Sequence, residues 1–146
     1  MSPESLITPA LIQAYLAAHY RVDAQPPFTL QVGVFSEPLA RHFQRHSCDC
    51  AAFLTACNPL SEDVGEAGNA ARQAALARDL ENLGLRLIDG MGLDGQDEGP
   101  QKWPGEASFL VFGLSLEASQ ALGRKYAQNA LIWCGQDAVP QLILLQ

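Results

Sequence analysis

The chain has 146 residues, 48% of them hydrophobic and 17% charged, with a formal net charge of −7. That balance excludes a disordered chain, and its scattered basic residues exclude a phosphate-tracking nucleic-acid surface. No apolar run approaches the ~20 residues that cross a bilayer, so neither nucleic acid nor membrane is expected as a partner.

The length suits one domain over residues 1–146 with a single core. The start, Met1-Ser2-Pro3-Glu4, lacks the basic and apolar regions of a signal peptide. The expected location is therefore the cytoplasm, where four cysteines are read as free thiols. Residues 1–8 are expected to be flexible.

Thr8-Pro9 predicts a helix start, with Thr as cap and Pro at the first helical position. Leu11, Ile12, Tyr15 and Leu16 then recur at helical spacing to about His19. After a proline-broken link, Phe28 to Val34 alternates as a first strand. Ser36 predicts the cap of a second helix, with Glu37 at its positive end and Leu39, Ala40 and Phe43 inward. Cys50 to Cys57 is a second strand whose continuous apolar run suits burial on both faces, as in parallel sheets.

Ser61-Glu62-Asp63 opens the longest predicted helix, ended by Gly84, with Leu76, Leu80 and Leu83 marking its buried face. Leu85 to Ile88 is a short third strand, and residues 89–105 form a long glycine-rich loop. Ala107 to Leu114 is a fourth strand. Ser115 caps a fourth helix with Ala118, Ala121, Leu122 and Tyr126 inward, and Ala130 to Cys134 and Gln141 to Leu145 are the last strands. The stretch Leu30 to Val34 with its helix and Ala51 to Leu54 echoes Leu110 to Leu114 with its helix and Ala130 to Trp133. The expected fold is α/β (α+β): a mixed sheet of five to six strands, about four helices, and two βαβ units.

Four blocks resemble a known family: Thr55-Ala56-Cys57-Asn58-Pro59, Gly68-Asn69-Ala70, Trp103 with Glu106-Ala107-Ser108-Phe109-Leu110, and Gln128-Asn129-Ala130. The chain resembles the bacterial family designated domain-of-unknown-function family 3293 from about Tyr15 to Leu144. The resemblance implies the fold and carries no activity with it.

Crossover helices make the first three predicted strands parallel, so their carboxyl ends share one edge, and the next two strands begin there. This gathers Thr55, Asn58, Asn69, Trp103, Glu106, Ser108, Gln128 and Asn129, with the N-termini of the second and third helices pointing at them. Ligands favour such edges, and anions favour helix N-termini. Two functions stay open. The edge binds a small polar or anionic molecule, with Glu106 as the one available acid or base, or it is a hydrogen-bonded turn network in a non-catalytic interaction module. Whether the chain is an enzyme stays open with them. His42, His46, Cys48 and Cys50, with Cys134 near the same edge, lack recognised zinc spacing, and Asp89, Asp94, Asp97 and Glu98 do not match a calcium loop. No metal and no cofactor are expected.

Overall fold

The computed structural model describes residues 7–93 and 105–145. In chain order these form α1 (Pro9–Ala17), β1 (His19–Val22), β2 (Phe28–Leu30), α2 (Glu37–His46), β3 (Ala51–Leu54), a 3-10 turn (Pro59–Ser61), α3 (Gly65–Asn82), β4 (Leu87–Leu93), β5 (Glu106–Phe112), α4 (Leu116–Lys125), β6 (Ala130–Cys134) and β7 (Pro140–Leu144). None of these helices is long and apolar enough to cross a membrane.

Three helices start where a hydroxyl can replace a missing backbone acceptor. Thr8 Oγ1 accepts from Leu11 N at 3.2 Å, Ser36 Oγ from Leu39 N at 3.2 Å, and Ser115 Oγ from Ala118 N at 3.1 Å. Glu37 and Glu117 lie in first turns, and Arg45, His46, Arg124 and Lys125 in last turns, each matched to the helix dipole. Helix α3 begins at Gly65 rather than at Ser61. The preceding 3-10 turn interposes, with Leu60 in a left-handed conformation (φ 51°), and Asp63 Oδ1 then accepts from Gly65 N. Gly84 (φ +72°) follows the helix end. Leu76 and Leu80 are fully buried, whereas Leu83, expected inward, caps the helix and is 56% exposed.

The sheet has seven strands in the order β2-β1-β4-β5-β3-β6-β7, and every neighbouring pair is antiparallel. This corrects the expected mixed sheet of five to six strands. A crossover helix fixes the relative direction of the strands it joins, not their adjacency. Strands β3 and β4 do point the same way across α3, but β5 lies between them, and β3 in turn lies between β5 and β6. The core β3-α3-β4-β5-α4-β6 is thus the split βαβ arrangement of ferredoxin-like domains. The echo between the first and last helical crossovers does not mark two equivalent units, because β2 lies at the far edge from β3.

Two further corrections concern stretches whose composition hid a strand. His19, expected at the end of the first helix, opens β1 (His19–Val22), a strand not expected from the sequence. The glycine-rich stretch taken as loop is strand through Leu93, and only residues 94–104 fall outside the described ones. Antiparallel pairing of β4 with β1 and β5 explains both, since each lends the other its ladder.

The sheet curls until its two edges meet. The extension of β2 returns to the start of β7, with Gly33 N donating to Pro140 O and Ser36 N to Ala138 O, each at 2.9 Å. The inner face holds one core: Val22, Leu30, Phe53, Leu110, Phe112, Ile132 and Cys134, plugged by Leu39 and Phe43 of α2. Alternate residues on the outer face, Ala52, Leu54, Val111 and Leu131, pack with Leu76 and Leu80 of α3 and Tyr126 after α4. Strand β3 is buried along its whole length because both faces are covered, not because its neighbours are parallel. Helix α4 reaches the sheet through small residues, Ser119 and Gly123, instead of the expected Ala121, which is exposed.

Candidate functional site

Strands β3 and β4 end, and β5 and β6 begin, at one end of the sheet, as the pairings Leu54↔Phe109 and Gly92↔Glu106 require. There the inner face is hollow. A cavity of about 260 Å³ is floored by Phe53, Ile132 and Leu142, walled by Tyr20, and closed by Leu11 and Tyr15 of α1. Gly90 makes room for the Phe53 ring: a Cβ there would stand 2.5 Å from Arg21 O and 2.7 Å from that ring. Phe53 fills that space and meets Tyr20 edge-on, with ring centroids 5.4 Å apart.

The cavity's polar wall comes from strand ends and the loops beside them. Thr55, Asn58, Glu106, Ser108, Gln128 and Asn129 all line it. Glu106 is half-buried, and Asn58 Nδ2 donates to its Oε2 at 3.0 Å. Burial pushes the Glu106 carboxyl above the usual carboxylate range, and the Asn58 amide pulls it back only in part. Tyr20 is also shifted upward, by burial first and then by Tyr15 and Glu106, and its hydroxyl donates to Tyr15 O at 2.6 Å. Ser108, buried, donates to Glu106 O at 3.0 Å.

Behind this wall lies a latch. Asn58 sits in a left-handed conformation (φ 49°) that turns its peptide toward α3, where Asn58 N donates to Asn69 Oδ1 and Asn69 Nδ2 to Asn58 Oδ1, each at 2.8 Å. With Asn58 Nδ2 on Glu106, the three side chains form one relay whose amide orientations are set. Gln73 Oε1 accepts from Ala56 N at 2.9 Å, and Arg72 Nε donates to Ala56 O at 2.7 Å. The Arg72 guanidinium also donates to Tyr126 O. Gln128 Nε2 donates to Cys57 O at 3.0 Å and Tyr126 O at 3.2 Å. Thr55 accepts from Cys57 N and faces Ala107 O at 2.6 Å.

The edge predicted from sequence therefore holds together, although the strands forming it are antiparallel. Six of the eight expected residues line one cavity, Asn69 stands behind Asn58 as its partner, and Trp103 lies outside the described residues. The N-terminus of α2 is elsewhere, at the opposite end of the sheet beside Ala138. Sequence reasoning missed Tyr15, Tyr20 and Phe53, as well as Arg72 and Gln73. For the last two a signal exists. Asn69, Arg72, Gln73, Leu76 and Leu80 follow helical spacing on one face, so the stripe that buries leucines at one end carries hydrogen bonds at the other.

Chemistry at the cysteines is muted. Burial pushes the Cys57 thiol up, and pushes Cys134 up to about 12, so both stay protonated. All four cysteines are free. Among the described residues, no three His, Cys, Asp or Glu side chains are grouped so as to hold a metal ion.

No curated protein and no solved structure significantly matches the chain. One family model does, over residues 54–131. That stretch contains every polar residue of the cavity wall and the latch, and it leaves out Tyr15, Tyr20 and Phe53. More than half of the chain is matched, and the chain belongs to the family described as "Protein of unknown function (DUF3293)".

Proposed function

We propose that the domain binds a small organic molecule in the cavity beneath α1, its apolar body on Phe53 and Ile132 and its polar end at Glu106. The observation that carries this is a half-buried carboxyl, oriented by the Asn69–Asn58 relay, on the wall of a 260 Å³ hollow in the inner sheet face. The volume falls below the ~300–1,000 Å³ of pockets for drug-sized ligands, so the occupant is metabolite-sized. Among the described lining residues there is a single acidic side chain and no Lys, Arg or His, which supports a polar rather than an anionic ligand. The free thiols suit a reducing cytoplasm, where we place this function.

The alternative, a structural turn network, is favoured for part of the same edge. Thr55, Asn69 and Gln128 spend their hydrogen bonds on backbone and latch. Their role is to hold Asn58 and Glu106 in place, and the binding surface is the cavity itself. A thermal-shift screen of small metabolites tests this, since binding to the native state raises the melting temperature. Hits should stabilise the protein but not Ala130→Phe, which fills the cavity from β6. A silent screen, or hits that stabilise both proteins equally, rejects the proposal.

A further inference from the structure

Granting that the cavity binds a small molecule, we infer that its occupant is an organic amine, with the ammonium against Glu106 and an apolar body against the Tyr20–Phe53 ring pair. The titratable groups lining the cavity are Glu106 on β5, Tyr20 on β1 and Tyr15 on α1, with Cys57 on the adjoining loop after β3. Glu106 is the one carboxyl among these described groups, and burial moves Tyr20 and Cys57 further from ionisation. An anionic ligand would face that carboxylate in a site of reduced dielectric, where like charges repel strongly.

A neutral ligand would leave the half-buried carboxylate without an opposite charge. An ammonium supplies what the site lacks. The Asn58 amide gives the carboxylate one neutral hydrogen bond, and a carboxylate accepts several. A cation adds charge-assisted bonds that are shorter and stronger. The rings agree with this choice, because the faces of Tyr20 and Phe53 carry negative quadrupole charge that attracts cations and the polarised C–H groups beside them. The net charge of −7 further favours the approach of a cation.

The test uses three molecules with one shape and different heads: phenethylamine, 2-phenylethanol and 3-phenylpropanoate. Titration calorimetry at millimolar concentration should show the amine binding about tenfold tighter than either other probe, the margin of a charged over a neutral hydrogen bond. Glu106→Gln, nearly isosteric, should abolish that margin. In the unaltered protein the amine's affinity should fall as pH is lowered and Glu106 takes up its proton, a measurement that stands even where the variant fails to fold. Equal or tighter binding of the alcohol or acid, a margin that survives Glu106→Gln, a flat pH profile, or no binding by all three overturns the amine assignment. The cavity proposal survives these outcomes if the metabolite screen finds a neutral hit that Ala130→Phe loses, and falls if that screen is silent or its hits stabilise both proteins equally.

Discussion

Two helices cover the inner face of the curled sheet, and they do so in different ways. Helix α2 buries Leu39 completely and Phe43 nearly so, with Phe43 meeting Phe112 edge-on at 6.4 Å. Helix α1 has no buried residue, and its Leu16 is 40% exposed. The cause is visible in composition. In α2 the apolar residues stand at helical spacing among Glu37, Arg41, Gln44 and Arg45, so one face is unmistakably the inner one. In α1 the segment Pro-Ala-Leu-Ile-Gln-Ala-Tyr-Leu-Ala is apolar nearly all round, and no face is singled out. The same concave surface is filled under one helix and hollow under the other. Ligand-binding parts of proteins are drawn from weakly packed regions, and here the weak packing and the polar wall coincide.

The sharpest way to break this comparison is a pair of truncations. Leu39→Ala should cost ~2–5 kcal/mol, since it opens a cavity in a tightly packed core. Leu11→Ala in α1 should cost under ~1 kcal/mol, because its side chain already borders empty space. Urea melts of both variants decide it. Comparable losses would mean that α1 is as firmly seated as α2 and that the hollow closes in solution.

Next in size is Gly90→Ala. The new methyl would press on the Arg21 carbonyl and the Phe53 ring, and forced overpacking costs ~1–3 kcal/mol. Because one of the two obstacles is backbone, the ring must yield toward the cavity. The expected outcome is a lower melting temperature together with weaker response to any ligand of the cavity. Destabilisation with an unchanged ligand response would detach Phe53 from the site.

Much of this molecule was legible in its sequence, and the failures have physical reasons. The caps at Thr8, Ser36 and Ser115 were readable because a hydroxyl before an apolar periodic run has one common use. Strand β6 was readable from its bounded apolar run. The antiparallel order was not, since a crossover helix says nothing about what is later inserted between the strands it joins. Strand β4 was hidden by Gly90 and Gly92, and Gly90 reports the space needed by Phe53 and not a loop. Tyr20 was hidden because β1 follows α1 with one residue between them. The polar edge was legible for a narrower reason: it depends only on where strands start and stop and which way they point, and those directions were right even though their adjacency was wrong.

The latch sharpens the comparison from the other side. Asn69→Ala removes both bonds to Asn58 and leaves a part-buried N–H and amide oxygen unpaired, at a cost of ~1–2 kcal/mol. The loss should appear in urea melts at every pH. A neutral result would place the Asn58 loop under strain that the latch barely offsets, and the relay would then serve the cavity at the expense of stability.

The smallest expected effect is the most informative about Glu106. Its carboxyl is shifted upward in the folded protein, chiefly by burial, so the native state holds this proton more tightly than the unfolded chain. Where the folded state binds more protons, stability falls as pH rises. The fall begins at the ordinary carboxylate range and is complete above the raised folded value. The cost of the half-buried charge is therefore carried in full above the raised folded value, and at strongly acidic pH it is absent. Glu106→Gln keeps the shape and the bond to Asn58 while removing the charge. The variant should be more stable than the parent at neutral pH, and the gap should shrink on acidification, read as the difference between urea midpoints of the two proteins across pH. A variant that is less stable at neutral pH, with the gap widening as pH rises, would mean that Asn58 holds the anion more strongly than burial opposes it. The site would then need no cation, and the case for an amine would lose its main electrostatic support. With phenethylamine bound, the parent should recover the lost stability at neutral pH and the variant should not, because only the parent has a buried charge for the ammonium to neutralise.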